Sequence, residues 1–402
     1  MPSETVYRVW IMLAFTFPGQ GSQRPGMGRP WVDNESWELV DEASEVADRD
    51  VSYLLLDADA EELRDTRHAQ LTTFVSSLMV LDAAERLGLE PSFCAGHSLG
   101  EYTALTATGA LGFDEGVRLV CERADAMHQA GIENPGTMAA VLGLDDDQVE
   151  VACRRADNDV WVANFNAPGQ VVIAGSSEGV ATAGFIAKQL GAKKVMPLQV
   201  SGAFHTPFMT AARDRLRKAI AEANPRDTEV PVISNVDALA HNTGADWSSL
   251  LSAQLSSPVR WKHCLLALEA EGVTEFVELG PGGVLTGMAK RTVELARTIA
   301  VSTPEDLERL LEWVNAGSQH SAAQLEGEHL FAHERLVVSP AAGLFVPIDG
   351  LADGSHLSVG DVLGQVGDTE VRSPFAGVLQ SYIAVDGERV TMRQPIAWLR
   401  TV

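Results

Sequence analysis

Cysteine is scarce in this chain: Cys94, Cys121, Cys153 and Cys264 are widely spaced and form no CxxC pair. That excludes a disulfide frame and a thiolate zinc site, and it predicts four small buried hydrophobes in a reducing cytoplasm. Basic residues are also few. Thirty Lys and Arg stand against 55 Asp and Glu, for a formal net charge of −25. Nucleic-acid binding needs a basic surface, so that class is excluded. An acidic protein partner would be repelled on average and would have to dock on a local basic patch. No apolar run reaches bilayer length: Val9–Phe17 is too short, and Pro18-Gly19 breaks it. It also lacks a signal-peptide pattern and reads as a first buried strand. No lysine follows Lys290, so nothing beyond that point can carry an amide-linked prosthetic group.

What is present suits a globular protein. The 402 residues allow two or three folding units, and 46% apolar with 21% charged residues supports an ordinary core. Thirteen carboxylates between Asp33 and Asp65, against only Arg49 and Arg64, read as solvated acidic helix faces. Residues 12–17 predict a strand followed by the turn FPGQGSQ. Residues 70–87 carry apolar positions at helical spacing, ended by Pro91. Residues 92–96 predict a strand running into GHSLGEY, with helices over 99–109 and 114–130. Strand, tight turn and helix in series indicate an α/β unit built on a parallel sheet.

The middle of the chain changes character. Strands are predicted over 137–143, 160–166, 170–175 and 193–200, with helices over 145–157 and 178–191. The order βαββαβ is the ferredoxin-like pattern, inserted into the larger unit. Strands then resume with VPVISN (230–235) and VTEFVELGPGG (273–283), and a helix over 304–314 closes the unit. The expected division is 1–136 and 204–315 for the large subdomain and 137–203 for the insert. A small, polar linker follows at 316–330, and then an all-β module over 331–402. That module repeats itself, since SPAAG (339–343) recurs as SPFAG (373–377), which predicts two similar β half-units packed face to face.

GHSLGEY is the strongest chemical signal. GxSxG between a strand and a helix is a nucleophile elbow: the two glycines allow a strained turn that lifts Ser98 out, and the helix start offers the Leu99 N–H to an oxyanion. The bland alternative is an ordinary βα turn. Serine needs a base. His97 adjoins Ser98, but neighbouring side chains on such a turn point apart, so it reads as structural. His205, in SGAFHTPFM, sits on a loop returning from the insert and is the candidate base. FPGQGSQ fits neither nucleotide-binding loop pattern, having no GK[ST] and no GxGxxG. It is either a simple turn or the source of a second oxyanion N–H, from Gln20.

Seven motifs then occur in a recognisable order: FPGQGSQ, GHSLGEY, NFNAPGQVVIAG (164–175), SGAFHTPFM, SNVDA (234–238), QLSSPVRW (254–261) and ELGPGGVLTGM (278–288). Together they resemble the malonyl-CoA:acyl carrier protein transacylases of fatty-acid synthesis and the related acyltransferase domains of polyketide synthases. The resemblance covers roughly residues 12–315. It implies an α/β-hydrolase-like core, a Ser98–His205 dyad, and an oxyanion hole from the backbone of Gln20 and Leu99. It implies that Arg123 grips the free carboxylate of the acyl group, as a planar guanidinium can do with two hydrogen bonds. Gln254 matches the position whose carbonyl orients the histidine, Asn166 a pocket asparagine, and Met127 a pocket wall. Phe204 and Leu99 fit the malonyl-selective class, the Phe204 ring filling the space of an α-methyl group. Malonyl-CoA and a phosphopantetheinylated acyl carrier protein are the implied substrates, with no permanently bound cofactor.

The C-terminal module resembles biotinyl/lipoyl-like domains, but the hairpin that carries their acceptor lysine is here GDTEVR (367–372). Biotin and lipoate are excluded, which leaves a structural or docking module with a possible protein partner. Lys188, Lys193, Lys194, Lys262, Lys290 and Arg291 are the basic candidates for carrier-protein docking, or else scattered surface charges. Three other readings stand beside the fatty-acid one. A discrete polyketide acyltransferase would differ only in its carrier. A serine hydrolase would release acid to water at the same rate with or without carrier. A non-catalytic scaffold would be inert.

Overall fold

The computed structural model describes residues 12–200, 202–314, 334–348, 350–352, 354–392 and 394–400. The expected linker at 316–330 lies outside the described residues. Those described fall into two compact units, one over 12–314 and one from 334 onward.

The first unit opens with β1 (Leu13–Phe17), buried at every position and ended by Pro18. Two helices follow, the acidic-faced α1 (Glu38–Ala47) and the short, apolar α2 (Val51–Leu56), which Asp50 caps by accepting the Tyr53 N–H. Next comes α3 (Thr66–Glu85), which Asp65 caps by accepting the Arg67 N–H. Being apolar or small on nearly all sides, α3 is buried along most of its length. β2 (Phe93–Gly96) runs into α4 (Leu99–Ala107), and α5 (Phe113–Glu133) packs against α3.

The insert comprises β3 (Thr137–Leu142), α6 (Asp146–Ala156), β4 (Val160–Ala167), β5 (Gln170–Gly175), α7 (Ser177–Gln189) and β6 (Lys194–Pro197). Its sheet order is β4-β5-β3-β6, antiparallel throughout. The period of two sorts its side chains. Ala139, Val141, Val171 and Ile173 pack under α6 and α7, whereas Met138, Ala140, Val172 and Ala174 join the core of the large subdomain.

The chain returns through α8 (Thr210–Ala223), β7 (Val232–Ile233), β8 (Ala240–His241), α9 (Gly244–Gln254), α10 (Trp261–Ala270), β9 (Glu275–Leu279), α11 (Val284–Thr292) and β10 (Arg297–Val301), and residues 304–314 are helical. The large sheet has the order β10-β9-β1-β2-β7-β8. All its pairs are parallel except β7 with β8. The sheet is therefore mixed, not purely parallel as expected. A two-residue edge strand such as β8 carries no alternation for a sequence reading to detect.

The second unit is all-β: β11 (Glu334–Val338), β12 (Gly343–Pro347), β13 (His356–Leu357), β14 (Val362–Val366), β15 (Thr369–Arg372), β16 (Gly377–Tyr382), β17 (Arg389–Val390) and β18 (Pro395–Arg400). They form two sheets, β11-β18-β16-β13 and β15-β14-β12-β17, around Phe345, Leu363, Leu379, Ile396 and Leu399. The SPAAG/SPFAG repeat is expressed as one turn used twice. The buried Ser339 hydroxyl donates to the Ala341 carbonyl at 2.6 Å, and the buried Ser373 hydroxyl to that of Phe375 at 2.7 Å. Gly367 and Asp368 form the tip between β14 and β15, where no lysine stands.

Candidate active site

β1 and β2 are parallel neighbours, with Phe17 opposite Gly96. FPGQGSQ and GHSLGEY therefore leave the same end of the sheet side by side. The elbow is tight enough to require its glycines. A Cβ on Gly96 would fall on the Gly100 carbonyl, and one on Gly100 would fall on that of Phe17. Ser98 itself takes φ 54°, ψ −101°, a conformation a non-glycine residue adopts only when its surroundings enforce it. Here they do. The Ser98 N–H donates to Asn235 Oδ1 at 2.7 Å, and its carbonyl accepts from Gln254 Nε2 at 2.8 Å. Asn235 Nδ2 donates to the Gly96 carbonyl at 2.8 Å.

His205 lies on the loop after β6, and its Nε2 is 2.7 Å from Ser98 Oγ. Its Nδ1 is 2.9 Å from the Gln254 carbonyl. A carbonyl only accepts, so Nδ1 carries the proton and Nε2 presents a lone pair to the serine hydroxyl. Burial, then the nearby Arg123 charge, pushes His205 down to about 3, which leaves it neutral and able to accept a proton at pH 7.

Arg123, on α5, is 1% exposed. Nη1 donates to Gln70 Oε1 at 2.6 Å, and Nη2 donates to Ser98 Oγ and Gln254 Oε1, each at 3.0 Å. The Tyr102 ring lies 5.1 Å from its Cζ, and its Nε has no partner among the described residues. Its hydrogen-bond acceptors are all neutral, and the nearby Glu101 carboxylate acts on it only through its field.

A cavity of about 250 Å³ opens in front of this group, lined among others by Gln20, Asn166, Met127, Met138, Val172, Phe204 and Met288. Its walls come from both the large subdomain and the insert. The N–H groups of Gln20 and Leu99 have no acceptor among the described residues. His97 lines the same cavity but bonds to neither Ser98 nor His205 among the described residues: its Nε2 is 2.8 Å from Asn166 Oδ1 and its ring meets Trp261 edge-on.

The basic candidates divide. Lys188, Lys193 and Lys194 are exposed on the insert, and Lys290 and Arg291 on α11, where Arg291 donates to Gln170 Oε1 at 2.6 Å. Lys262 departs from the expectation of a free surface cation, because it is half-buried and ion-paired with Asp146.

Four residues of the site carried no role in the sequence reading: Gln70, Glu101, Tyr102 and Asn235. Glu101 and Asn235 lie inside the motifs GHSLGEY and SNVDA. Gln70 is a polar residue on a helix buried nearly all round, which was the available signal.

The sequence profile described as "Acyl transferase domain" matches residues 14–306. The chain belongs to this acyltransferase family. It is 43% identical over 305 residues to the malonyl CoA-acyl carrier protein transacylase of Bacillus subtilis, covering 75% of this chain and 96% of the relative. Among solved structures, it resembles the acyl-carrier-protein S-malonyltransferase of Burkholderia pseudomallei with a TM-score of 0.73 and 40% identity, over 75% of this chain and all of the other. It also resembles a malonyl-transacylase in complex with a type II polyketide-synthase acyl-carrier protein. There the TM-score is 0.72 and the identity 36%, over 75% of this chain and 99% of that one. The acyltransferase match stops short of the all-β unit.

Proposed function

We propose that this acyltransferase is a malonyl-CoA:acyl carrier protein S-malonyltransferase of fatty-acid biosynthesis, working by two transfers through a malonyl ester on Ser98. The observation that carries the reading is the buried Arg123 beside a Ser98–His205 pair, with neutral acceptors that a substrate carboxylate can replace. A plain acyl group offers that cation nothing, which favours a dicarboxylic acyl donor.

In the first half, His205 Nε2 takes the Ser98 proton and Oγ attacks the thioester carbonyl. The oxyanion is received by the Gln20 and Leu99 N–H groups. Collapse expels the CoA thiolate, which takes the proton from His205. In the second half, the phosphopantetheine thiol gives its proton to His205 and attacks the ester, and Ser98 recovers that proton on leaving. Asn166, Met127 and Phe204 shape the acyl pocket, His97 positions Asn166, and Gln254 fixes the histidine tautomer. No permanently bound cofactor enters either half, and the reaction suits the cytoplasm. Among the described residues, no helix is long and apolar enough to cross a membrane.

We read the architecture as an α/β-hydrolase-like core (1–136 and 204–315) with a ferredoxin-like insert (137–203), joined through 316–330 to a biotinyl/lipoyl-like module (331–402). The sheet order β4-β5-β3-β6 supports the insert, and the paired four-stranded sheets with the doubled serine turn support the module. Lacking an acceptor lysine, the module serves as a structural or docking element. Lys188, Lys193, Lys194, Lys290 and Arg291 are the docking cations for an acidic carrier. The likeness to a transacylase bound to a polyketide carrier favours a polyketide synthase as the alternative pathway.

Intact-mass spectrometry after brief exposure to malonyl-CoA tests the reading. The adduct should form on wild type, be absent from Ser98→Ala, and be stripped by holo carrier protein. An adduct released to water equally fast without carrier would identify a hydrolase. Labelling by another acyl-CoA alone would refute the assigned pocket.

A further inference from the structure

Glu101 is fully buried, three residues beyond Ser98 on the first turn of α4. An acidic residue there ordinarily faces solvent near the helix start, or caps it. This one turns inward, and its oxygens bond to two distant segments. Oε1 accepts the backbone N–H of Asn235 at 2.7 Å, and Oε2 accepts the side-chain amide of Gln254. Neither partner is a cation.

Those two partners hold the nucleophile. Asn235 grips the Ser98 N–H and the Gly96 carbonyl. Gln254 grips the Ser98 carbonyl through Nε2, supports His205 through its backbone carbonyl, and turns Oε1 toward Arg123. An amide can present its oxygen to Arg123 only if its NH2 group has acceptors on the other side. Glu101 and the Ser98 carbonyl are those acceptors.

We propose that ionised Glu101 is a positioning residue for acyl transfer, locking Asn235 and Gln254 so that the serine elbow, the histidine tautomer and the arginine share one register. This rests on the transacylase reading. The requirement for ionisation follows from donor counting. Both neighbours are donors, so a hydrogen on either Glu101 oxygen would face another hydrogen. Glu101→Gln keeps the shape and is still not conservative, because one end of its amide must be NH2.

The pH response has the same origin. Burial raises Glu101 to about 7, against the lowering effect of the Asn235 N–H, Gln254 and Arg123. The titratable groups facing it are Arg123 from α5, Asp237 from the turn after β7, Cys264 from α10, and Tyr102 beside it. Burial pushes His205 the other way, well below its usual range, so a fall in rate through neutrality that is lost in Glu101→Gln belongs to Glu101.

The experiment is rapid-quench, single-turnover malonylation of wild type, Ser98→Ala and Glu101→Gln, from about pH 5.5 to about 8.5. No carrier thiol is present in this half-reaction to titrate. Wild type should lose rate below about pH 7. Glu101→Gln should melt as a folded protein, react about 100-fold slower at saturating malonyl-CoA, and show no limb in that range, since a small misplacement of catalytic groups costs about that much. A folded Glu101→Gln within threefold of wild type, with its limb retained, would overturn the proposal. If that variant does not fold, wild type alone decides, and a rate unchanged down to pH 5.5 overturns it. Failure of wild type to form any adduct would instead remove the transacylase reading beneath it.

Discussion

Arg123→Ala separates carboxylate recognition from acyl transfer. The guanidinium is the cation that would pair with the malonyl carboxylate, and it is almost fully buried. Removing one partner of a buried, hydrogen-bonded charge pair costs about 2–5 kcal/mol. At about 1.4 kcal/mol per tenfold, kcat/KM for malonyl-CoA should fall by about 30- to 4,000-fold. Acetyl-CoA has no carboxylate to lose, so its rate should hold or rise. The malonyl-to-acetyl ratio should therefore drop by at least about 30-fold. Gln70 Oε1 and Gln254 Oε1 each lose a donor, and an unsatisfied buried acceptor costs about 1–3 kcal/mol. Thermal unfolding should accordingly be recorded alongside initial rates of acyl-enzyme formation with the two thioesters. A ratio within threefold of wild type in the folded variant would show that the carboxylate is held elsewhere, and would refute the assignment.

Gly96→Ala should abolish acyl-enzyme formation and lower the melting temperature, because the added methyl falls on the Gly100 backbone; an active variant would show that the elbow can shift. Stability against pH should carry two opposed contributions. His205, depressed from 6.5 to about 3, stabilises above 6.5 and loses that contribution as pH falls toward 3. Glu101, raised from 4.5 to about 7, stabilises below 4.5 and loses that contribution as pH rises through 7. His205→Gln should therefore melt progressively lower than wild type as pH rises between these values, and a constant difference between the two melting curves would contradict the assignment. Lys193→Glu with Lys194→Glu should raise the KM for carrier protein and leave malonylation by malonyl-CoA unchanged. Unchanged carrier kinetics would remove that pair from the docking surface.

The parts of this molecule legible in its sequence are those encoded over short spans. GHSLGEY announces a strand, a strained turn and a helix within a few residues, and short apolar runs bounded by turns reveal the strands of the insert. The network around the serine is different in kind. Ser98 is tied to Asn235 and Gln254 across 137 and 156 residues, and nothing local distinguishes Glu101 from a first-turn acid facing water. Its inward turn depends on where α9 and the segment after β7 come to lie. Likewise Lys262 looks like any surface cation until Asp146 is found beside it. The mixed sheet escaped for a simpler reason: its antiparallel edge pair is two residues long.

The order of strands in the large sheet bears on how the chain acquires activity during synthesis. β1 is flanked by β2 on one side and β9 on the other, so one of its edges waits for residues 275–279. Until then a buried-type strand presents unpaired N–H and C=O groups, a template for wrong pairing. Such non-local pairing is slow to form, because the intervening loop must close first. Asn235 and Gln254, the residues that hold Ser98 in its strained turn, emerge during the same interval. A nascent chain therefore carries Ser98 long before Asn235 and Gln254 can hold its turn, and that turn is completed in the same interval as the pairing of β1 with β9.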